Sequence, residues 1–121
     1  MLKVKLNQYG RGVYTTEDIP TNTKIIIDNL LLLNADDCEC SETLKKYVFK
    51  YSKNYSAICL GLGSLINHSF TKANCTWIIK RNQQKPEIVF STTTNIPKGT
   101  ELLVDYGVDY WGGYDVSASG K

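Results

Sequence analysis

The same turn occurs twice in this chain. Residues 18–25 read DIPTNTKI and residues 95–102 read NIPKGTEL. Each carries I-P-x-(N/G)-T and runs straight into a strand-forming stretch. Proline at the second position of a type I turn pre-sets φ, and Asn or Gly then accepts the positive φ that follows. A similarity confined to eight residues is compatible with convergent turn chemistry as well as with duplication. Either way the repeat points to several short sheets that change direction sharply.

The remaining sequence agrees with a mainly β protein. Leu2–Leu6, Gly12–Thr16, Lys24–Leu33, Cys75–Lys80, Ile88–Thr93 and Glu101–Tyr106 are rich in β-branched or aliphatic residues and predict strands. Lys80–Lys85 (KRNQQK), closed by Pro86, is polar and predicts a hairpin connection. One segment predicts a helix. Ser41 can N-cap it, and Leu44, Tyr47, Val48 and Tyr51 fall at i, i+3, i+4, i+7, with Lys45, Lys46 and Lys50 on the solvated face.

With 121 residues there is enough chain for one domain around one core, assigned to 1–116, and the small polar stretch Ser117–Lys121 reads as a fraying tail. A net charge of +2 is too weak to argue for nucleic-acid binding, and there is no stripe of Lys or Arg interleaved with aromatics. The longest apolar run, Ile25–Leu33, is interrupted by Asp28 and Asn29 and is far short of the roughly 20 residues that span a bilayer. No signal-peptide pattern opens the chain, so an intracellular compartment, cytosolic or nuclear, is expected. Cys38 and Cys40 form one C-x-C pair, whereas Cys59 and Cys75 stand apart and there is one histidine. Zinc sites usually combine two close pairs, so free thiols and no metal are expected.

Three stretches hold residues that could carry chemistry. Gly10-Arg11-Gly12-Val13-Tyr14 places two glycines where backbone can approach a ligand or turn tightly. No Lys-Ser/Thr follows, so it is not a phosphate loop. Asn67-His68-Ser69 ends the apolar run Ile58–Ile66. A Ser-His hydrolase would need an orienting acid and an oxyanion hole, and nothing in the sequence marks either. Glu101–Trp111 (ELLVDYGVDYW) joins a buried strand to an aromatic cluster. Each stretch taken alone has an ordinary structural explanation: a glycine turn, a satisfied polar pair, aromatic packing at a strand end.

In this order, however, the three resemble the SET domain of lysine methyltransferases. Gly10–Ile25 is similar to that family's G-x-G-[VL]-[FY] strand and I-P-x-G-x-x-I turn. Leu65–Asn74 (LINHSFTKAN) is similar to its N-H-S/C-x-x-P-N segment, and Thr100–Gly107 to its G-E-E-L-x-x-D-Y strand. The resemblance covers nearly the whole chain and is strongest to the small viral proteins that are little more than the bare domain, in which case the host nucleus is the expected compartment. It implies a β-clip of several small curved sheets with one short helix, whose C-terminal segment tucks beneath an earlier loop. It also implies S-adenosylmethionine as cofactor and lysine N-methylation of a protein, with a histone tail as the first choice of substrate.

Residue by residue, the resemblance sets Gly10, Arg11 and Gly12 against the cofactor. Asn67 and His68 would contact its polar atoms, and Trp111 would pack near its adenine. Tyr106 would be the tyrosine at the floor of a lysine channel lined by Tyr110, Val104 and Tyr47. The sequence departs from the family at several points. Asn22 stands where Gly is common, Ala73 replaces the proline before Asn74, and Val104 stands where Phe or Tyr often limits methyl number, which leaves the product degree open. The cysteine element that usually follows the domain is missing, and Tyr110, Trp111 and Tyr114 are expected to close the channel instead. Asp36, Asp37, Glu39 and Glu42 could attract a basic tail, or could simply be a solvated loop. A homodimer is compatible with so small a domain, although no residue pattern marks one. Two other readings stand beside the enzyme: a non-enzymatic β-clip binding module, and a SET domain that has lost activity.

Overall fold

The computed structural model describes residues 1–8, 10–39, 41–45, 47–81 and 84–105. Its strands are β1 (Leu2–Asn7), β2 (Gly10–Thr15), β3 (Lys24–Asn34), β4 (Val48–Lys50), β5 (Tyr55–Cys59), β6 (Asn67–His68), β7 (Cys75–Lys80), β8 (Glu87–Thr92) and β9 (Leu103–Val104). Two short helices, α1 (Ala35–Glu39) and α2 (Glu42–Lys45), lie between β3 and β4, and a 3₁₀ helix spans Leu62–Leu65. β1 and β2 form a separate antiparallel hairpin, and the other seven strands run in the order β4-β5-β3-β8-β7-β9-β6.

The curvature of the larger sheet comes from β3. This strand is shared: Lys24–Asn29 pairs with β8, and Leu30–Asn34 pairs with β5 on its other side. A bulge between Lys24 and Ile26 bends its start, as an extra residue on one strand of an antiparallel pair does. Its side chains then alternate, with Ile26 and Leu30 buried and Ile27 and Leu31 exposed. β8 sits between β3 and β7, so Ile88, Val89 and Phe90 are all buried in succession. The core gathers Val13, Ile19, Phe49, Ala57, Ile88, Phe90, Ile96, Leu102 and Val104, each at most 2% exposed.

The two turns noted in the sequence face each other. Ile19 and Ile96 exchange backbone hydrogen bonds, each N–H donating to the other's carbonyl at 2.8 Å. The residue before each isoleucine caps the opposite turn. Asp18 Oδ1 accepts from the Lys98 N–H at 2.8 Å, and Asn95 Oδ1 accepts from the Thr21 N–H at 2.9 Å. Thr15 and Thr92 occupy equivalent places further back. The Thr15 hydroxyl donates to the Pro97 carbonyl (3.0 Å) and accepts from Thr100 N–H (3.1 Å), and the Thr92 hydroxyl donates to the Pro20 carbonyl (2.7 Å) and accepts from Thr23 N–H (2.9 Å). The positive φ of Asn22 (58°) matches that of Gly99 (83°), so asparagine serves where the second turn uses glycine. TTEDIPTNT (15–23) and TTTNIPKGT (92–100) are thus the two halves of one reciprocal clip.

The predicted helix is much shorter than its apolar spacing suggests. Ser41 does cap it, its Oγ accepting from Leu44 N–H at 3.1 Å, but the helix ends at Lys45. Val48 and Phe49 then enter β4 against β5, where both are buried, and Tyr47 is exposed in the turn between them. A β-branched residue followed by an aromatic gains more from a sheet ladder and the core than from continuing the helix. Among the described residues of the strand expected over Glu101–Tyr106, Glu101 makes an isolated bridge to Tyr14 and Leu103–Val104 forms regular strand.

Candidate active site

β6 and β9 run parallel, with Asn67 opposite Leu103 and His68 opposite Val104. β7 also pairs with β9 in parallel, Cys75 opposite Val104. The late strand β9 therefore lies between two strands that are consecutive in the chain, and residues 69–74 must cross over it. Hydrogen bonds fasten this crossing. Ser69 N–H donates to the Val104 carbonyl and Asn74 N–H to the Leu103 carbonyl, each at 2.9 Å, and Asn74 Oδ1 accepts from Leu103 N–H at 2.9 Å. The Ser69 hydroxyl also accepts from Lys72 N–H at 3.0 Å, so the loop is tied down without proline at position 73.

β2 completes the constellation. Leu102 N–H donates to the Val13 carbonyl at 2.8 Å, which lays residues 101–102 along the GRGVY strand. From the other side Asn67 reaches the same strand. Its Nδ2 donates to the Arg11 carbonyl at 2.8 Å and to Glu101 Oε2 at 2.7 Å. Asn7 Nδ2 donates to the same carboxylate oxygen and to Tyr14 Oη, each at 3.2 Å. Gly12 lies in close approach: a Cβ there would run into the Glu101 carboxylate and the Asn7 amide, 2.6 Å away, so those side chains would have to shift. At Gly10, with φ of 106°, a Cβ would meet open space. His68 is buried with its ring edge-on to Phe70, centroids 4.1 Å apart. Gly10–Gly12, Asn67–His68 and Glu101–Val104 thus meet in one place.

A SET-domain profile matches residues 10–107. The chain belongs to the SET-domain family. It is 31% identical over 105 residues to the histone-lysine N-methyltransferase specific for H3 lysine 37 of Schizosaccharomyces pombe, covering 84% of this chain and 69% of that protein. It is 31% identical over 112 residues to an N-lysine methyltransferase of Danio rerio, covering 81% of this chain and 32% of that one. The SET fold is shared with a Plasmodium falciparum protein classed as a histone methyltransferase, at a TM-score of 0.76 and 27% identity over 91% of this chain and 96% of that one. A Chaetomium thermophilum polycomb repressive complex 2 bound to S-adenosylmethionine matches at a TM-score of 0.72 and 22% identity, covering 90% of this chain and 15% of that one. The family's enzymes with which it shares sequence are lysine methyltransferases, and the expected β-clip of small curved sheets is present.

Of the site residues expected from the sequence, the SET fold brings Gly10, Arg11, Gly12, Asn67 and His68 together. Val104 is fully buried beside them, strand partner to both His68 and Cys75. Tyr47 is 47% exposed after α2. Tyr106, Tyr110 and Trp111 lie outside the described residues. The acidic cluster is carried on helices and not on a loop. Asp36 and Asp37 open α1, where carboxylates suit the helix dipole, and Glu42 lies 3.4 Å from Lys45.

Sequence reasoning missed Glu101 and Asn7 as site residues. Glu101 falls on the glutamate of the E-L-x-x-D-Y stretch, but beyond that the local signal was a charge at the head of an otherwise apolar strand. It also missed the support behind Asn67. Asp28 Oδ2 accepts from the Cys59 thiol at 3.0 Å and from Gly63 N–H at 2.9 Å, which pins the 3₁₀ helix just ahead of Asn67-His68.

Both described free thiols, Cys59 and Cys75, are buried. Burial pushes the Cys59 thiol well above its ordinary range, and the Asp28 carboxylate that accepts its hydrogen pushes it further. Burial alone pushes Cys75 up to about 12. Both therefore stay protonated to higher pH in the folded chain than in the unfolded one. The Cys75 contribution to stability is complete below about pH 9 and is lost as pH rises from there through about 12, and that of Cys59 is lost in the same direction at still higher pH. Alkylation at pH 8 with mass mapping is expected to leave both unlabelled in the native protein and to label both in denaturant. Labelling of either in the native state would contradict this burial.

Proposed function

We propose that the chain is an S-adenosylmethionine-dependent protein lysine N-methyltransferase acting on a lysine of a histone tail. The observation that carries this reading is the convergence of the GRG strand, Asn67-His68 and the head of the C-terminal strand in a chain of the SET-domain family. The residues present suit the cofactor. Gly10 leaves open space beside its backbone, as a ligand held by main-chain groups needs, and the Asn67 amide borders the next residue through the Arg11 carbonyl. The SET structure with bound S-adenosylmethionine supports the choice of cofactor by analogy of fold.

When bound, S-adenosylmethionine supplies an electrophilic methyl group on a sulfonium. The chain's own residues do the rest. Gly10, Arg11 and Gly12 hold the cofactor with backbone groups, Asn67 and His68 contact its polar atoms, and Trp111 packs against its ring. Tyr110, Tyr47 and Val104 line a water-poor lysine channel. Such a channel disfavours the ammonium form of the substrate, lowers its pKa and delivers a neutral amine, while ring faces tolerate partial positive charge. The Tyr106 hydroxyl orients the amine and stabilises charge at the transition state. Direct displacement asks for no strong base within the site. A basic histone tail agrees with the acidic residues of α1 and α2 and with the named substrate of the fission-yeast relative. A nuclear location follows from that substrate. Among the described residues no helix is long and apolar enough to cross a membrane.

The test is incubation of the purified protein with methyl-labelled S-adenosylmethionine and core histones, then with whole-cell lysate. Label on lysine that depends on Tyr106 is expected. Cofactor binding without transfer would mean an inactive SET domain, and neither binding nor transfer would mean a binding module.

A further inference from the structure

Glu101 joins the three motifs, yet the proposed chemistry gives it no task. Its Oε2 accepts from Asn67 Nδ2 at 2.7 Å and from Asn7 Nδ2 at 3.2 Å. Its backbone carbonyl accepts from Asn74 Nδ2 at 2.9 Å, and its backbone bridges to Tyr14. Gly12 is flattened against its carboxylate. One side chain thus touches β1, β2 and β6 together.

The chemistry of Asn67 makes this more than packing. A carboxamide has one donor end and one acceptor end. The Asn67 donor end faces two acceptors, the Arg11 carbonyl (2.8 Å) and the Glu101 carboxylate (2.7 Å). The flipped amide would set its oxygen against both and lose two hydrogen bonds. We propose that Glu101 is a positioning residue of the cofactor site: its carboxylate locks the Asn67 carboxamide in a single orientation against the GRG strand, so that the methyl donor meets a preorganised surface. This rests on the assignment of Asn67 to the cofactor site made above. Glu101 acts through Asn67 and does not touch the reacting atoms.

Geometry and charge make opposite demands here, and variants separate them. Glu101→Gln keeps an oxygen at the same reach without charge. Glu101→Asp keeps the charge but withdraws it by one methylene. Binding of S-adenosylmethionine by calorimetry, with KM and kcat at a temperature well below unfolding, is the readout. Glu101→Asp and Glu101→Ala are expected to weaken cofactor binding by about tenfold or more, the scale of a lost hydrogen bond to a charged group, with kcat changed less than KM. Glu101→Gln is expected to stay within about threefold of the parent, because the retained acceptor still holds Asn67. In an Asn67→Ala background, Glu101→Ala is expected to add nothing, since the two residues act as one unit.

Additive effects in the double variant, or loss in Glu101→Gln with retention in Glu101→Asp, would overturn the positioning role. So would a lowered melting temperature with unchanged cofactor affinity. If the parent protein itself binds no S-adenosylmethionine, the cofactor assignment falls and this proposal with it. If the parent binds, Asn67→Ala weakens it and Glu101→Ala does not, only the role of Glu101 falls.

Discussion

Replacement of Tyr106 by phenylalanine is expected to reduce methyl transfer by about a hundredfold or more, with cofactor affinity and melting temperature nearly unchanged. The substitution removes one oxygen and keeps the ring. In the proposed mechanism the lost hydroxyl is the group that meets charge developing only in the transition state, and such groups typically contribute about two to three orders of magnitude in rate. The loss belongs in kcat, because the hydroxyl is assigned to the reacting amine and methyl and not to the adenosine. Single-turnover measurement with labelled cofactor separates the chemical step from product release. A rate within about threefold of the parent would remove Tyr106 from the catalytic role.

Phe90→Ala is expected to cost about 3–5 kcal/mol of stability, a large share of the roughly 5–15 kcal/mol available to a domain of this kind. Phe90 has no exposed surface and lies at the centre of β8, opposite Ile26 on one side and Trp77 on the other. Its ring also abuts Gly63, where there is no room for a Cβ. The cavity would open directly beneath the 3₁₀ helix that leads into Asn67-His68. Thermal unfolding should show a drop of roughly 10–20 °C, and Phe90→Leu a smaller one. A loss under about 1 kcal/mol would mean that the core is not centred on this ring.

These two predictions stand on different kinds of legibility. Tyr106 comes from a motif, D-Y-G after E-L-x-x, and its place in the chain is a matter of local sequence. Phe90 appeared in the sequence only as part of a strand-forming stretch. That it is the hub follows from β8 lying between β3 and β7, which no local pattern announces. The same contrast holds along α2. Ser41 and the spacing Leu44-Tyr47-Val48-Tyr51 are proper helix signals, yet the helix stops at Lys45 because Val48 and Phe49 find partners on β5. Their burial against distant residues outweighs a local preference worth less than about 1 kcal/mol per residue.

The site shows the same division. Gly10, Gly12, Asn67 and His68 were singled out by the order of the SET-like motifs, since each stretch alone has an ordinary structural explanation; the structure adds a positive φ at Gly10 and a close approach at Gly12. Glu101 was not, since a glutamate at the head of a strand is ordinarily solvated. Its meaning depends on Asn67, 34 residues away, and on Asn7, 94 residues away.

By itself the sequence determined the mainly β character, the positions of the two Ile-Pro turns and the order of the SET motifs. The first two rest on local physics, namely proline's fixed φ, the tolerance of Asn22 and Gly99 for positive φ, and the alternation of apolar residues; the third rests on resemblance to the family. The tertiary structure alone decided that the two turns clasp each other, that β9 passes between β6 and β7, and that one carboxylate orders the Asn67 amide. Those outcomes depend on hydrogen bonds and packing between segments far apart in the chain, whose energies exist only once the chain has closed on itself.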